Sequence, residues 1–112
     1  MPFAHITTNA AVDAPSVARR LSALVAEATG KPEGYVMCLV TPGAALTFGG
    51  TDEPAAYVAL KNIGMTEAAC RTLAATLSEF VEAECGAPAS RVFIDFKCLD
   101  GAWFAHNGRP LR

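Results

Sequence analysis

The second half of this chain repeats the pattern of its first half at an offset of 56 residues, half of the 112-residue length. A glycine, a proline and a valine recur at that offset, as Gly30, Pro32 and Val36 and then as Gly86, Pro88 and Val92. Upstream of each set, four apolar residues have the i, i+4, i+7, i+8 spacing of one helix face. They are Val17, Leu21, Leu24 and Val25, then Leu73, Leu77, Phe80 and Val81. The repeat predicts one architecture built twice.

Each predicted helix ends at the repeated glycine, because glycine adopts the left-handed conformation that closes a helix and the following proline prevents continuation. Strands are predicted on both sides of each helix, at residues 3–8 and 35–41 and at residues 56–61 and 91–97. Each half is therefore a β-α-β unit. The chain is predicted to be a single α+β domain over residues 1–112, with pseudo-repeats at about 2–56 and 57–112.

Two right-handed β-α-β crossovers predict a four-stranded mixed sheet with two antiparallel helices on one face. Residues 36–40 and 57–60 are apolar without alternation, which is typical of strands buried on both faces. Because the helices cover only one face, we expect another copy of the chain to cover the second face in an obligate oligomer. Residues 45–48 and 103–106 are predicted to be short edge strands that pair across subunits.

Composition and charge argue against several classes of partner. Hydrophobic residues make up 52% of the chain, which is too apolar for disorder and high for a small monomer. The net charge of -2, without a Lys/Arg cluster, predicts no nucleic-acid partner. No apolar run approaches the ~20 residues that span a bilayer, and the start lacks the features of a secretory signal. We therefore expect a cytoplasmic protein with no membrane partner.

The possible metal ligands are few and scattered. They are Cys38, Cys70, Cys85, Cys98, His5 and His106. The cysteines have no C-x-x-C spacing, and two distant histidines do not complete a ligand set. The sequence therefore predicts no metal site, and free thiols suit a reducing compartment.

A proline follows the initiating methionine, and it is a candidate catalytic base. Removal of Met1 would leave the secondary amine of Pro2 at the start of an apolar strand. An α-amino group titrates near ~7.7–8.0, and burial or a neighbouring cation lowers that pKa. If Met1 stays, the same nitrogen is an amide without basicity. The alternative is that Pro2 simply starts a strand, where its missing N–H costs nothing.

The last main strand has two different faces. Val92, Ile94 and Phe96 suit the helix-covered core, whereas Phe93, Asp95 and Lys97 point to the other face. This places a carboxylate beside an aromatic ring where a neighbouring subunit is expected. The alternative for Asp95 is a solvated acid at the end of a strand.

Several blocks in the correct order carry a resemblance to a known family. They are Met1-Pro2 leading to Thr8-Asn9, residues 28–32 with Tyr35 following, Phe48-Gly49-Gly50, Glu53-Pro54, Asn62-Ile63-Gly64, residues 91–94, and Asn107-Gly108. Over essentially its whole length the chain resembles the macrophage migration inhibitory factor and D-dopachrome tautomerase family of the tautomerase superfamily. The resemblance implies a homotrimer of duplicated β-α-β protomers, with active sites between subunits.

The resemblance also implies a cofactor-free keto–enol tautomerase that acts on α-keto acids such as arylpyruvates. Pro2 would be the catalytic base, and Lys31 the cation that lowers its pKa and holds the substrate carboxylate. The alternative for Lys31 is a solvated lysine that complements a helix C-terminus. Ile63 would contact substrate through its backbone, or be an ordinary buried residue before a turn. Tyr35 would line the pocket, or start a strand with its hydroxyl in water.

This chain departs from the mammalian members at several expected pocket positions. Phe93 and Asp95 replace a tyrosine and an asparagine, and an ionised carboxylate cannot donate to a substrate oxygen. Burial that keeps Asp95 protonated is one hypothesis, which would make it a donor or a general acid. His106 aligns with a tryptophan and Leu111 with a phenylalanine, while Trp103 falls three residues early. His106 either lines the pocket or lies on the surface.

These departures leave three functions open. The first is the tautomerase with Pro2 as base. The second is a hydratase acting on an unsaturated acid, with Pro2 paired with Asp95 or His106. The third is a cytokine-like ligand, exported without a signal peptide and bound by a receptor, or a trimeric binding protein with a vestigial pocket.

Overall fold

The computed structural model describes all residues from Met1 to Arg112. Its main elements are β1 (Phe3–Thr8), α1 (Ala14–Thr29), β2 (Met37–Thr41), β3 (Ala56–Ile63), α2 (Glu67–Cys85), β4 (Val92–Leu99), β5 (Ala105–His106) and β6 (Arg109–Pro110). Three 3-10 turns lie between them, at Glu33–Tyr35, Ala89–Arg91 and Gly101–Trp103. Neither α-helix combines the length and apolar character that a membrane span requires.

The four main strands form one mixed sheet in the order β2-β1-β3-β4. β1 pairs with β2 in parallel, and β3 pairs with β4 in parallel. The two β-α-β units join in the middle of the sheet, where β1 and β3 run antiparallel. The α+β class, the duplication and the mixed sheet predicted from the sequence are confirmed.

Both α-helices end where the sequence predicts. Gly30 and Gly86 have φ values of 67° and 70°, in the left-handed region that glycine enters at least cost. At the other end of α2, the Thr66 hydroxyl accepts a hydrogen bond from the Ala69 N–H, which satisfies one of the unpaired donors of the first turn.

The core lies between the sheet and the two helices. Its largest fully buried side chains include Ile6, Val58 and Leu60 from the sheet and Leu21, Val25, Leu77 and Val81 from the helices. The helical residues come from the two predicted apolar stripes. Outside this core, the Arg20 guanidinium makes two hydrogen bonds of 2.6 and 2.7 Å to the Glu84 carboxylate, which joins the helices at the surface.

The sheet face turned away from the helices is uncovered in the protomer, and we call it the open face. Its exposed large apolar side chains are Met37, Leu39, Tyr57 and Phe93. Phe93 is 63% exposed and Met37 66%. Soluble monomers rarely present so many large apolar side chains on one surface, because contiguous apolar patches favour association. The open face therefore supports the expected cover by another copy.

Strand boundaries differ from the prediction where proline follows a helix. The predicted strand 35–41 begins at Met37, because the Tyr35 N–H donates to the Pro32 carbonyl in a 3-10 turn. Likewise Arg91 belongs to the turn that Pro88 starts, and β4 begins one residue later. After each helix-ending glycine, the proline therefore begins a 3-10 turn, and the next strand starts only after that turn.

The predicted edge strands are only partly present. Residues 45–48 form no strand, and their only ladder contact is an isolated bridge between Phe48 and Thr51. In the other segment, β5 pairs with β6 of the same chain. The reason is a two-residue hairpin at Asn107 and Gly108, whose φ values of 53° and 76° match the positive-φ turn that Asn-Gly favours. Within the protomer, β5 therefore pairs with a local partner, and pairing across subunits stays a prediction.

Candidate functional site

Pro2 lies in a small cavity at the amino end of β1. The residue is fully buried, and its carbonyl accepts a hydrogen bond of 3.1 Å from the Met37 N–H, which continues the β1–β2 ladder by one residue. The cavity has a volume of about 260 Å³. Its lining, which defines the N-terminal cavity, is Met1, Pro2, Phe3, Tyr35, Met37, Lys61, Phe104, Ala105 and His106. Backbone pairing therefore holds Pro2 in a largely apolar site.

This environment lowers the pKa of the terminal amine. Burial lowers its pKa below the ordinary value of 8.0, and the positive charge of Lys31 lowers it further. In the full chain this amine belongs to Met1, so the Pro2 nitrogen is an amide. Removal of Met1 would bring the free amine to the fully buried proline, where desolvation disfavours the charged form more strongly.

Lys31 is positioned by the end of α1. Its backbone N–H donates to the Ala26 carbonyl at 3.1 Å. This hydrogen bond fixes the backbone of Lys31 at the end of the helix. The ammonium forms no salt bridge within the chain. Lys31 and Ile63 line a second cavity of about 180 Å³, next to the N-terminal cavity's amine but on the helix side of the sheet.

Ile63 ends β3 immediately before Gly64, which has a φ of 76°. Its backbone N–H donates to the Asn62 Oδ1 at 3.0 Å, and Asn62 is buried with 4% exposure. The predicted backbone contact with substrate is therefore occupied in the protomer by the preceding side chain. A substrate would have to displace the Asn62 amide to use this donor.

Tyr35 and His106 meet across the N-terminal cavity. Their ring centroids are 6.1 Å apart at an interplanar angle of 90°, the edge-to-face arrangement that aromatic rings favour. The structure thus brings Pro2, Tyr35 and His106 together. Trp103 is 86% exposed and outside the cavity, in agreement with its exclusion from the pocket.

Phe93 and Asp95 lie outside both cavities, on the open face. The Tyr57 hydroxyl donates to Asp95 Oδ2 at 2.6 Å, and Lys97 Nζ lies 3.9 Å from the same oxygen. This hydrogen bond is the main cause that raises the pKa of Tyr57. Within one protomer, therefore, the Asp95 carboxylate contacts Tyr57 and Lys97, and only a neighbouring copy could bring it to Pro2.

Sequence reasoning missed several residues that line the two cavities, among them Lys61, Asn62 and Phe104. Lys61 stands opposite Phe3 in the β1–β3 register, which the antiparallel pairing of distant segments creates. Phe104 reaches the cavity from the turn before the β5–β6 hairpin. The available signal was the Asn107-Gly108 dipeptide, which predicts that the tail folds back.

The cysteines and the other possible metal ligands are scattered in the structure, as they are in the sequence. No three His, Cys, Asp or Glu side chains come together as a possible metal site. Among the free thiols, burial raises the pKa of Cys38 to about 11, which keeps it protonated and unreactive near neutral pH.

Comparison with known proteins adds independent information. Residues 1–111 match a family model described as macrophage migration inhibitory factor. A macrophage migration inhibitory factor homolog of Brugia malayi is 35% identical over 111 residues, covering 96% of each chain. A crystal structure of a homologue from Prochlorococcus marinus superposes with a TM-score of 0.92 at 32% identity, covering 98% of this chain and 99% of that one. The Trichinella spiralis structure gives 0.88 at 31% identity, covering 96% and 97%.

Proposed function

We propose that the mature form of this chain, which belongs to the macrophage migration inhibitory factor family, is a cofactor-free keto–enol tautomerase of α-keto acids. The observation that carries the proposal is the environment of Pro2. The residue is fully buried in a small cavity, and both burial and Lys31 lower the pKa of the terminal amine. A neutral secondary amine near neutral pH is a suitable general base.

The proposed reaction moves one proton. The neutral Pro2 amine takes a proton from the carbon next to the substrate carbonyl, and the electron pair of that C–H bond shifts to form an enolate. Lys31 stabilises the negative charge of the carboxylate and the enolate. The prolyl ammonium then returns the proton to the enolate oxygen. Bonds and charges balance without a metal or a redox cofactor.

We further propose that the working unit is a homotrimer. A second copy packed on the open face would bury Met37, Leu39, Tyr57 and Phe93, which are exposed in the protomer. It is also the only way that Phe93 and Asp95 could take part in a site built around Pro2. Sedimentation of single protomers at micromolar concentration would contradict this assembly.

The test of the activity begins with intact mass, which establishes whether Met1 has been removed. Mature protein is expected to tautomerise phenylpyruvate, and the Pro2→Gly variant to lose most of this activity while keeping the oligomeric state. Pro2→Gly keeps a terminal amine, but the amine is primary where that of proline is secondary, and the packing of the proline ring is lost. Activity that survives unchanged in Pro2→Gly, or that is equal in protein retaining Met1, would rule out Pro2 as the base.

A non-catalytic binding protein of the cytokine-like kind is the second candidate. Two observations favour it: the Ile63 N–H is occupied by Asn62, and Asp95 is engaged by Tyr57. Hydratase chemistry has a narrower basis, since Pro2 shares a cavity with His106 and not with Asp95. Product analysis in deuterated solvent separates them, because a tautomerase exchanges a carbon-bound proton, a hydratase adds water, and a binding protein does neither.

A further inference from the structure

We propose that Lys61 is an anion-binding group of the N-terminal cavity, in addition to Lys31 in the neighbouring cavity, and that the site therefore takes an α-keto acid with a carboxylate at each end. This inference rests on the proposed tautomerase function and names its substrate class. Lys31 would hold the carboxylate next to the carbonyl, and Lys61 the carboxylate at the far end of a short dianionic substrate.

The position of Lys61 is set by the sheet. β3 runs antiparallel to β1, and Lys61 lies opposite Phe3 in their register. The lysine is therefore next to the first residue of β1, which directly follows Pro2. Alternation along β3 places Lys61 on the open-face side with Tyr57 and Ala59. Lys31 lines the cavity that also contains Ile63, between the end of α1 and the start of α2. The two lysines therefore line different cavities, and the charge of Lys31 still reaches the terminal amine.

Within the protomer, Lys61 has no counter-ion. The three salt bridges of the chain join Arg20 to Glu84, Lys97 to Asp95 and Arg112 to Asp100. No aspartate or glutamate lines the N-terminal cavity, and Lys61 is half-buried there among largely apolar neighbours. A partly desolvated, unpaired ammonium is a favourable partner for an anion, because a carboxylate replaces the hydrogen bonds to water that burial removes.

The two lysines are assigned to different ends of the substrate. Lys31 lowers the pKa of the terminal amine, so its charge acts on the base. Lys61 shares the N-terminal cavity with Pro2 but comes from a different strand, β3. Lys31 is therefore assigned the carboxylate beside the reacting carbon, and Lys61 the carboxylate at the far end.

The walls of the cavity suit a substrate with a carbon chain between its two carboxylates. With Met1 in place, the cavity volume is about 260 Å³, just below the ~300 Å³ at which typical ligand pockets begin. The walls formed by Phe3, Tyr35 and Phe104 would contact the substrate's carbon chain. An uncharged aryl arm would meet Lys61 only through a cation–π contact, which is weaker than a charge-assisted hydrogen bond to carboxylate.

The experiment compares mature wild type with Lys61→Met, whose side chain has similar length without the charge. Lys61→Arg retains the charge, and Arg71→Met removes one cation from the exposed face of α2 as a control for net charge. Tautomerisation of oxaloacetate represents the dianionic class, and that of phenylpyruvate the monoanionic class. If Lys61→Met does not fold, Lys61→Gln takes its place.

We expect Lys61→Met to lower kcat/KM for oxaloacetate about tenfold or more, through KM, as the loss of a hydrogen bond to a charged group predicts. Phenylpyruvate should change by less than about threefold, with Lys61→Arg near wild type and Arg71→Met unchanged on both substrates. Equal losses on the two substrates, or no loss on oxaloacetate, would overturn the role of Lys61.

A binding measurement separates this inference from the proposed function. Calorimetric titration with fumarate, an unreactive dicarboxylate, is compared with titration with benzoate. Even if no substrate is turned over, fumarate should bind the wild type. Its affinity for Lys61→Met should be at least about tenfold lower. Fumarate binding that is absent from wild type, or equally strong in Lys61→Met, would refute the second anion site.

Discussion

Arg91 connects the β4 start to the loop that carries Phe48, and its removal gives a quantitative test of how that part of the protein is held. The guanidinium donates to four backbone carbonyls: Phe48 at 3.0 Å, Thr51 at 3.3 Å, Glu53 at 3.0 Å and Pro54 at 3.0 Å. Its Cζ also lies 5.4 Å from the centroid of the Phe48 ring. One side chain therefore closes a loop with no strand of its own.

The magnitude follows from the exposure of these bonds. The bond to Phe48 is partly buried and contributes about 1.5 kcal/mol or more, as hydrogen bonds to charged groups do. The three exposed bonds contribute about 0.5 kcal/mol each, because water replaces them. The cation–π contact adds about 0.5 kcal/mol. Arg91→Met should therefore lower the free energy of unfolding by about 3.5 kcal/mol. Arg91→Lys should lower it by about half of that, since an ammonium cannot span four acceptors.

The assay is urea unfolding at one fixed protomer concentration, because association stabilises the folded state by mass action. Phe48 packs against Phe93 with ring centroids 5.0 Å apart, so Arg91→Met is also expected to weaken self-association in sedimentation. A change below about 1 kcal/mol, or a Lys variant as unstable as the Met variant, would refute the reasoning from these contacts.

The remaining predictions concern the charges around Pro2. In mature protein, tautomerase activity should rise with pH through the pKa of the terminal amine, which burial and Lys31 lower, since only the neutral amine accepts a proton. Lys31→Met removes one cause of the lowered pKa, so this limb of the pH–rate profile should move to higher pH; an unmoved limb would refute the coupling. Asp95→Asn removes an anion that a neighbouring copy would bring near Pro2, so the limb should move to lower pH. A profile identical to wild type would exclude Asp95 from the site and from any acid role.

The sequence by itself determined the architecture. The offset repeat, the two apolar stripes and the glycines that end the helices are local patterns, and local conformational preference settles them. For this reason the order of elements and the helix ends at Gly30 and Gly86 are confirmed. The same logic explains the errors at residues 35 and 91, where strand propensity competes with a turn started by proline. The unpredicted hairpin at Asn107 and Gly108 was also a local signal.

Only the tertiary structure decided which side chains share a cavity. Lys61 and Pro2 are far apart in sequence, and they meet because β1 and β3 pair in one antiparallel register. The occupation of the Ile63 N–H by Asn62 and the hydrogen bond from Tyr57 to Asp95 likewise depend on atomic positions. Contacts across a sheet arise from long-range pairing of strands. The register of that pairing is set by the packing of the whole core, and a short segment of the chain does not determine it.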